Sequence, residues 1–304
     1  MAALIYFVGA AEIFQIFFNL QLKYILTLIA ISFVLIWLSS VKWQLFIRAW
    51  GHEASVTDLM KLYTITYFYN MFAPSSLMGD AARIYHLGKK IENQKDAFIT
   101  TFLERLTGLL AMVLLGCIFV LIGTTATKGL EIGILIVAFF VLLGTFICFS
   151  KRCFEIFNSI AIKSLRVCRL NELADKSEKL LAKISRAMEI ARDNNPLFLK
   201  AMFWSICFHF GTVVNTYVAA LAIGWENPSF SGLCVTVPLV LLVSVAPLTP
   251  SGIGLQEGAF MFFLQRVGAT RPESLAVGIV LRAKTIFTAF VGWILWIQMS
   301  KEKK

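Results

Sequence analysis

Three observations predict an all-α integral membrane protein. Apolar residues make up 58% of the chain and charged residues only 15%, whereas soluble domains carry about 25% charge. Mean hydropathy is +0.77. Several apolar stretches reach the ~20 residues that a helix needs to cross a bilayer. No segment is long and polar enough for a separate soluble domain. The 304 residues therefore read as one membrane domain, with about five or six transmembrane helices plus two re-entrant helical hairpins.

In chain order, residues 3–20 are apolar but carry Glu12 and Gln15, and fit either a short first helix or an interfacial one. Clear spans fall at 24–47, 97–122, 131–150, 197–222 and 275–299. Two further apolar regions are broken. Residues 58–88 are interrupted by Ala73-Pro74-Ser75-Ser76-Leu77-Met78-Gly79-Asp80, and residues 232–265 by Pro247-Leu248-Thr249-Pro250-Ser251-Gly252-Ile253-Gly254. Proline removes a backbone donor and clashes with the preceding turn, and glycine weakens the helix further. In lipid the freed backbone groups need partners, so such breaks survive only inside protein or beside a wet cavity.

Loop charge constrains the threading. The net charge is +10, and residues 151–200 hold eleven Lys or Arg against six Asp or Glu. Basic loops stay cytoplasmic, so the basic segment 151–196 and the C-terminus are expected there, in a prokaryotic cell membrane. Counting back, 79–96 falls on the same side. A re-entrant hairpin 58–88 then keeps 48–57 there too, next to Lys42 and Arg48, and a hairpin 232–265 lets Lys301, Lys303 and Lys304 end in the cytoplasm. Arg266 and Arg271 in the external loop run against this pattern.

The halves then look alike. A hairpin from inside leads to a span carrying Glu104-Arg105, and a hairpin from outside leads to a span carrying Arg282 and Lys284. The expected organisation is a first repeat 24–122 and a second repeat 197–299, inverted relative to each other, as in transporters with midplane sites at broken helices. Between them, 175–192 reads as an amphipathic helix. Leu180, Leu181, Ile184 and Met188 recur at helical spacing, and the helix fits either the membrane surface or the end of the bundle.

Arg105 lies about 12 Å into its span at ~1.5 Å per residue, and Arg282 is comparably deep. Such charges cost about 2.5–3.5 kcal/mol each on insertion scales. They require either a wet basic cavity for an anionic headgroup or ion pairs such as Arg282 with Glu257. The hairpins offer a second anion device, because a helix starting after a Ser or Gly turn points free N–H groups and a positive dipole end at its ligand. Ser75, Ser76, Ser251 and Gly252 precede such starts, and the alternative is that these turns are only turns. The candidate headgroup residues are thus Arg83, Arg105, Arg282, Lys284, Ser75, Ser76, Ser251 and Gly252. Asn70, Asp80, Glu104, Gln256 and Glu257 are supporting, ion-pair or proton-exchanging groups. Pro74, Gly79, Pro247, Pro250 and Gly254 shape the turns.

No GxSxG, HExxH or P-loop occurs. The six Cys are scattered without CxxC spacing and the three His are dispersed, so no catalytic set, metal or cofactor is expected. No soluble basic fold is present to bind nucleic acid.

The set Asn70-x3-Pro74-x4-Gly79-Asp80-x2-Arg83, Glu104-Arg105-x2-Gly108, Pro250-Ser251-Gly252-Ile253-Gly254-x2-Glu257-Gly258 and Arg282 resembles the lysylphosphatidylglycerol synthase transmembrane-region family, over nearly the whole chain. That family usually has Gly-Gly-Asp where Met78 precedes Gly79 here, and often Pro-Gly-Gly where Ser251 follows Pro250. The resemblance implies a flippase that moves an anionic or aminoacylated phospholipid, or a polyprenyl-phosphate lipid, between leaflets. In the best-known members this domain is joined to a soluble aminoacyltransferase. The sequence in hand carries none, so synthase activity is not expected to come with the resemblance. The rival readings are a lipid-modifying transferase, such as a phosphatidylglycerol lysyltransferase or lipid-linked glycosyltransferase, and a non-transporting subunit of a separately encoded lipid-modifying enzyme. Homo-oligomerisation is left open.

Overall fold

A computed structural model of the chain describes residues 10–18, 20–72, 77–122, 131–168, 170–193, 195–245 and 249–301. These residues form twelve α-helices and two short 3-10 turns, with no strand among them. The helices are α1 Ala10–Phe18, α2 Leu22–Ala49, α3 Val56–Met71, α4 Leu77–Lys90, α5 Gln94–Leu121, α6 Glu131–Phe149, α7 Lys151–Val167, α8 Asn171–Asp193, α9 Asn195–Ala222, α10 Phe230–Val245, α11 Leu255–Leu264 and α12 Arg271–Lys301.

Among the described residues, four helices are long and apolar enough to cross a membrane: α2, α5, α9 from Pro196, and α12. They coincide with four of the expected spans, and α6 occupies the fifth. Its described side chains face outward almost throughout, with Ile132, Phe139, Phe140 and Phe146 each at least 61% exposed, a surface suited to lipid rather than water. The protein is thus an all-α, multi-pass membrane protein. The described part of α1 holds nine residues, about 14 Å at 1.5 Å per residue.

Local signals place the helix starts. Ser55 caps α3 by accepting from Asp58 N–H at 3.1 Å. Asn93 caps α5 through Lys95 and Asp96 N–H. Thr270 and Glu273 form a reciprocal capping box at α12. The described residues of each broken region form two successive helices. Their arms hold 16, 14, 16 and 10 residues, about 15–24 Å each, less than the ~30 Å hydrocarbon core. Asp58 and Lys90 join the two feet of the first hairpin in an ion pair.

Helix packing repeats between the halves. α2 packs on α3, α5 and α9; α3 on α4 and α12; α4 on α5; α5 on α9 and α10; α9 on α10 and α12; α10 on α11; α11 on α12; and α12 on α2. Exchanging α2 with α9, α3 with α10, α4 with α11 and α5 with α12 maps every one of these pairs onto another. α2 and α9 run antiparallel, because Leu35 lies against Gly211 while Trp37 meets Trp204.

The cytoplasm-assigned segment holds one helix more than expected. Ser150 caps α7 through Cys153 N–H, and α7 folds back on α8 through an Arg166–Glu178 contact of 3.2 Å. Of the two placements open for the amphipathic helix, α8 adopts contact with the bundle. Ala174 is fully buried, and Ile184 packs against the cluster of Phe46, Ile99, Leu103, Leu197 and Ala201.

Candidate functional site: a basic cavity and a sealed ion cluster

The second hairpin turn is held by one arginine. Arg282 stands eleven residues into α12, about 17 Å along it. Its Nε donates to Glu257 Oε1 at 2.6 Å, Nη1 to the Ser251 carbonyl at 2.8 Å and Nη2 to the Gly252 carbonyl at 3.0 Å. Glu257 is fully buried, and its Oε2 accepts from Gly254 N–H at 2.7 Å. The positive end of α11 is therefore already met by a carboxylate from its own first turn.

The turn itself is tight. Ser251, Gly252 and Gly254 have φ of 54°, 67° and 82°, the left-handed region that glycine enters without a steric penalty. Ser251 occupies the position where the family often has glycine, and its carbonyl is one of the two that Arg282 holds.

A cavity of about 320 Å³ opens beside this turn. Arg282, Lys284, Ser251, Gly252, Gln256 and Asn70 from the expected set all line it, with Asn215 from α9 and Leu35 and Phe208 among the apolar walls. Lys284 Nζ donates to Asn215 Oδ1 at 2.9 Å, and among the described residues no carboxylate pairs with it. An ammonium has three donors and a guanidinium five. Subtracting the bonds above leaves two on each residue.

The other expected residues lie elsewhere. Arg83 on α4 is buried to 1%, with its guanidinium 4.6 Å from the Trp43 ring centroid and 4.4 Å from that of Tyr63. Its Nη2 reaches Glu104 Oε2 and Asp80 Oδ1, each at 3.0 Å. Arg105, about half exposed, donates to the same Asp80 oxygen at 2.7 Å. Lys42 Nζ meets Glu104 Oε1 at 2.7 Å and the Glu104 carbonyl at 3.0 Å. Three cations and two carboxylates thus close on one another, leaving one net positive charge. None of these five residues lines the cavity. Gly79 N–H donates to Asn70 Oδ1 at 2.8 Å, which fixes the amide at the cavity wall. Ser75, Ser76, Pro74 and Pro247 lie outside the described residues.

Sequence reasoning missed Lys42 and Asn215. Lys42 was readable as a charge within span 24–47, where an ionisable group calls for a partner, but it served only as a marker of the cytoplasmic end. Asn215 is an amide deep in an apolar helix, and nothing in its neighbours points to Lys284, 69 residues on.

The halves carry matching but reversed locks. In the first, the hairpin supplies the arginine and the span supplies the glutamate, Arg83 to Glu104; in the second, the hairpin supplies Glu257 and the span supplies Arg282. A multi-pass bundle of apolar helices with buried ion pairs between them defines an all-α integral membrane protein. The family model for the lysylphosphatidylglycerol synthase TM region matches residues 1–292, and the chain belongs to that family. Its function is accordingly tied to membrane lipid. No curated protein and no solved structure matches the chain.

Proposed function

We propose that the protein is a membrane lipid flippase that takes a phospholipid or polyprenyl-phosphate headgroup into the cavity beside the second hairpin. The two hairpins are re-entrant, the halves form an inverted repeat, and α7–α8 with the C-terminus lie in the cytoplasm. Rocking of one repeat on the other alternates access, while acyl chains stay in lipid. The supporting observation is the charge balance at the cavity: Arg282 is paired with Glu257, whose two oxygens are already engaged, while Lys284 meets the neutral Asn215 and no carboxylate among the described residues. A desolvated cation without a counter-ion is costly, and a phosphate supplies that counter-ion through charge-assisted bonds. The volume lies at the low end of the ~300–1,000 Å³ typical of ligand pockets, which suits a headgroup but not a whole lipid.

The cations around Glu104 and Asp80 are structural. Arg83 and Lys42 anchor the first hairpin through Glu104, and Arg105 sits at the edge of that cluster.

The test is headgroup translocation in proteoliposomes, followed by dithionite quenching of a fluorescent phosphatidylglycerol. Lys284→Ala is expected to slow flipping at least tenfold while the protein stays folded by size-exclusion profile and thermal stability. Undiminished flipping by folded Lys284→Ala, or no flipping by the unmodified protein, refutes the proposal.

A further inference from the structure

We infer that α7 is an in-plane membrane anchor, whose uncovered apolar stripe lies in the headgroup–acyl boundary of a leaflet that carries anionic lipid. No residue of α7 lines the cavity, and the inference depends on membrane embedding rather than on transport.

α7 starts where the chain leaves the lipid-facing surface. α6 ends at Phe149 and α7 begins at Lys151. The one residue between them, Ser150, is extended at φ −87° and ψ 111°, which breaks the helix axis. In the last turn of α6, Phe146 is still 63% exposed on the outward surface suited to lipid. α7 itself cannot continue through hydrocarbon, because Lys151, Arg152, Glu155, Lys163 and Arg166 are spread along its length.

At about 100° per residue α7 has three faces. Phe154, Ala161 and Leu165 fall together and are buried or half-buried. Arg152, Glu155, Ser159, Lys163 and Arg166 form a polar face. The third face, about 100° wide, carries Ile156, Phe157, Ile160 and Val167, each 50–82% exposed. A helix lying on a protein in water turns polar residues outward. Here one apolar face is packed and a second is uncovered, so the helix needs another apolar phase beside the bundle.

Charge identifies that phase. Residues 151–170 hold five Lys or Arg against one Glu. Arg152 and Lys163 border the apolar stripe, and among the described residues neither pairs with a carboxylate, whereas Arg166 is engaged by Glu178 and Asp175. Long basic side chains at the edge of an apolar stripe reach up to lipid phosphates while the stripe sinks among the acyl chains. Basic residues there are drawn to an anionic leaflet. The surface also continues that of α6, which already faces lipid.

The full-length chain, freed of native cysteines, is labelled with the fluorophore NBD at Ile156→Cys or Ile160→Cys on the stripe, or at Ser159→Cys on the polar face. All three positions are exposed, so the label displaces no packed side chain, and size-exclusion profiles check folding. The proteins are reconstituted in vesicles of phosphatidylcholine alone or mixed equally with phosphatidylglycerol. In the mixed vesicles a doxyl group carried near the top of the acyl chain is expected to quench both stripe labels about threefold or more above the Ser159 label, with aqueous iodide giving the reverse order. Removing phosphatidylglycerol, or combining Arg152→Gln with Lys163→Gln, should lower the lipid quenching about twofold. Equal lipid quenching on the two faces, or ready iodide access to the stripe, overturns the in-plane placement. Protection of the stripe from both quenchers overturns it as well, because a protein surface then covers it. Lipid quenching that changes neither without phosphatidylglycerol nor in the Gln pair overturns the role of anionic lipid.

Discussion

Removing Arg282 should unfasten the second hairpin before it affects any ligand. Its side chain makes three hydrogen bonds, to a fully buried carboxylate and to two turn carbonyls. Truncating one partner of a buried ion pair costs about 3–5 kcal/mol, because the other charge stays behind unpaired. Arg282→Met is therefore expected to lose stability in that range, and Glu257→Leu likewise, since it strands the guanidinium. Replacing both by apolar residues of similar size, Arg282→Met with Glu257→Leu, removes both charges together. What remains lost is the bonds to Ser251, Gly252 and Gly254, at about 1 kcal/mol net each. The double variant should thus fall about 3 kcal/mol below the parent, where simple addition of the single changes gives about 6–10 kcal/mol. Tryptophan fluorescence during reversible unfolding in mixed detergent micelles measures all four proteins of the cycle. A single Arg282→Met cost under about 1 kcal/mol, or additive effects, would show that the pair does not hold the turn. The same geometry makes Lys284, with its one bond to Asn215, the cleaner probe of transport.

Two further outcomes concern the packing and threading of the bundle. A Cβ at Gly292 would collide with the Thr64 carbonyl where α12 crosses α3, whereas one at Gly144 on α6 meets nothing within 4 Å. Gly292→Ala should therefore destabilise by about 1–3 kcal/mol through overpacking, and Gly144→Ala should be neutral or stabilising by up to about 1 kcal/mol through helix propensity; equal effects in thermal unfolding would contradict the close crossing. In a background without native cysteines, single cysteines at Glu53 and Glu92 should react with an impermeant maleimide from the same side of the membrane, since α3 and α4 are each too short to cross. Labelling from opposite sides would rule out a re-entrant first hairpin.

Membrane class, the long spans and the two broken regions were legible because each depends on local sequence. Apolar length fixes whether a helix can lie in hydrocarbon, and the Pro, Ser and Gly clusters at 73–79 and 247–254 fix where it must stop. The order of hairpin and charged span that suggested two similar halves had the same local origin. α7 is less legible because the many charges of 151–170 mask the helical spacing of Phe154, Phe157 and Ala161.

The sequence by itself determined that costly cations sit among apolar helices near two kinked hairpins, since insertion energy depends on residue type and depth alone. Which cation meets which carboxylate was decided only by tertiary structure. Arg83, Arg105 and Arg282 look equivalent along the chain, yet Arg83 and Arg105 fall among Lys42, Asp80 and Glu104, while Arg282 and Lys284 share a cavity with neutral amides. These pairings act over a few ångströms between residues 21 to 62 positions apart for the ion pairs and 69 for the Lys284–Asn215 hydrogen bond, and only the packing of the helices brings such distances within reach.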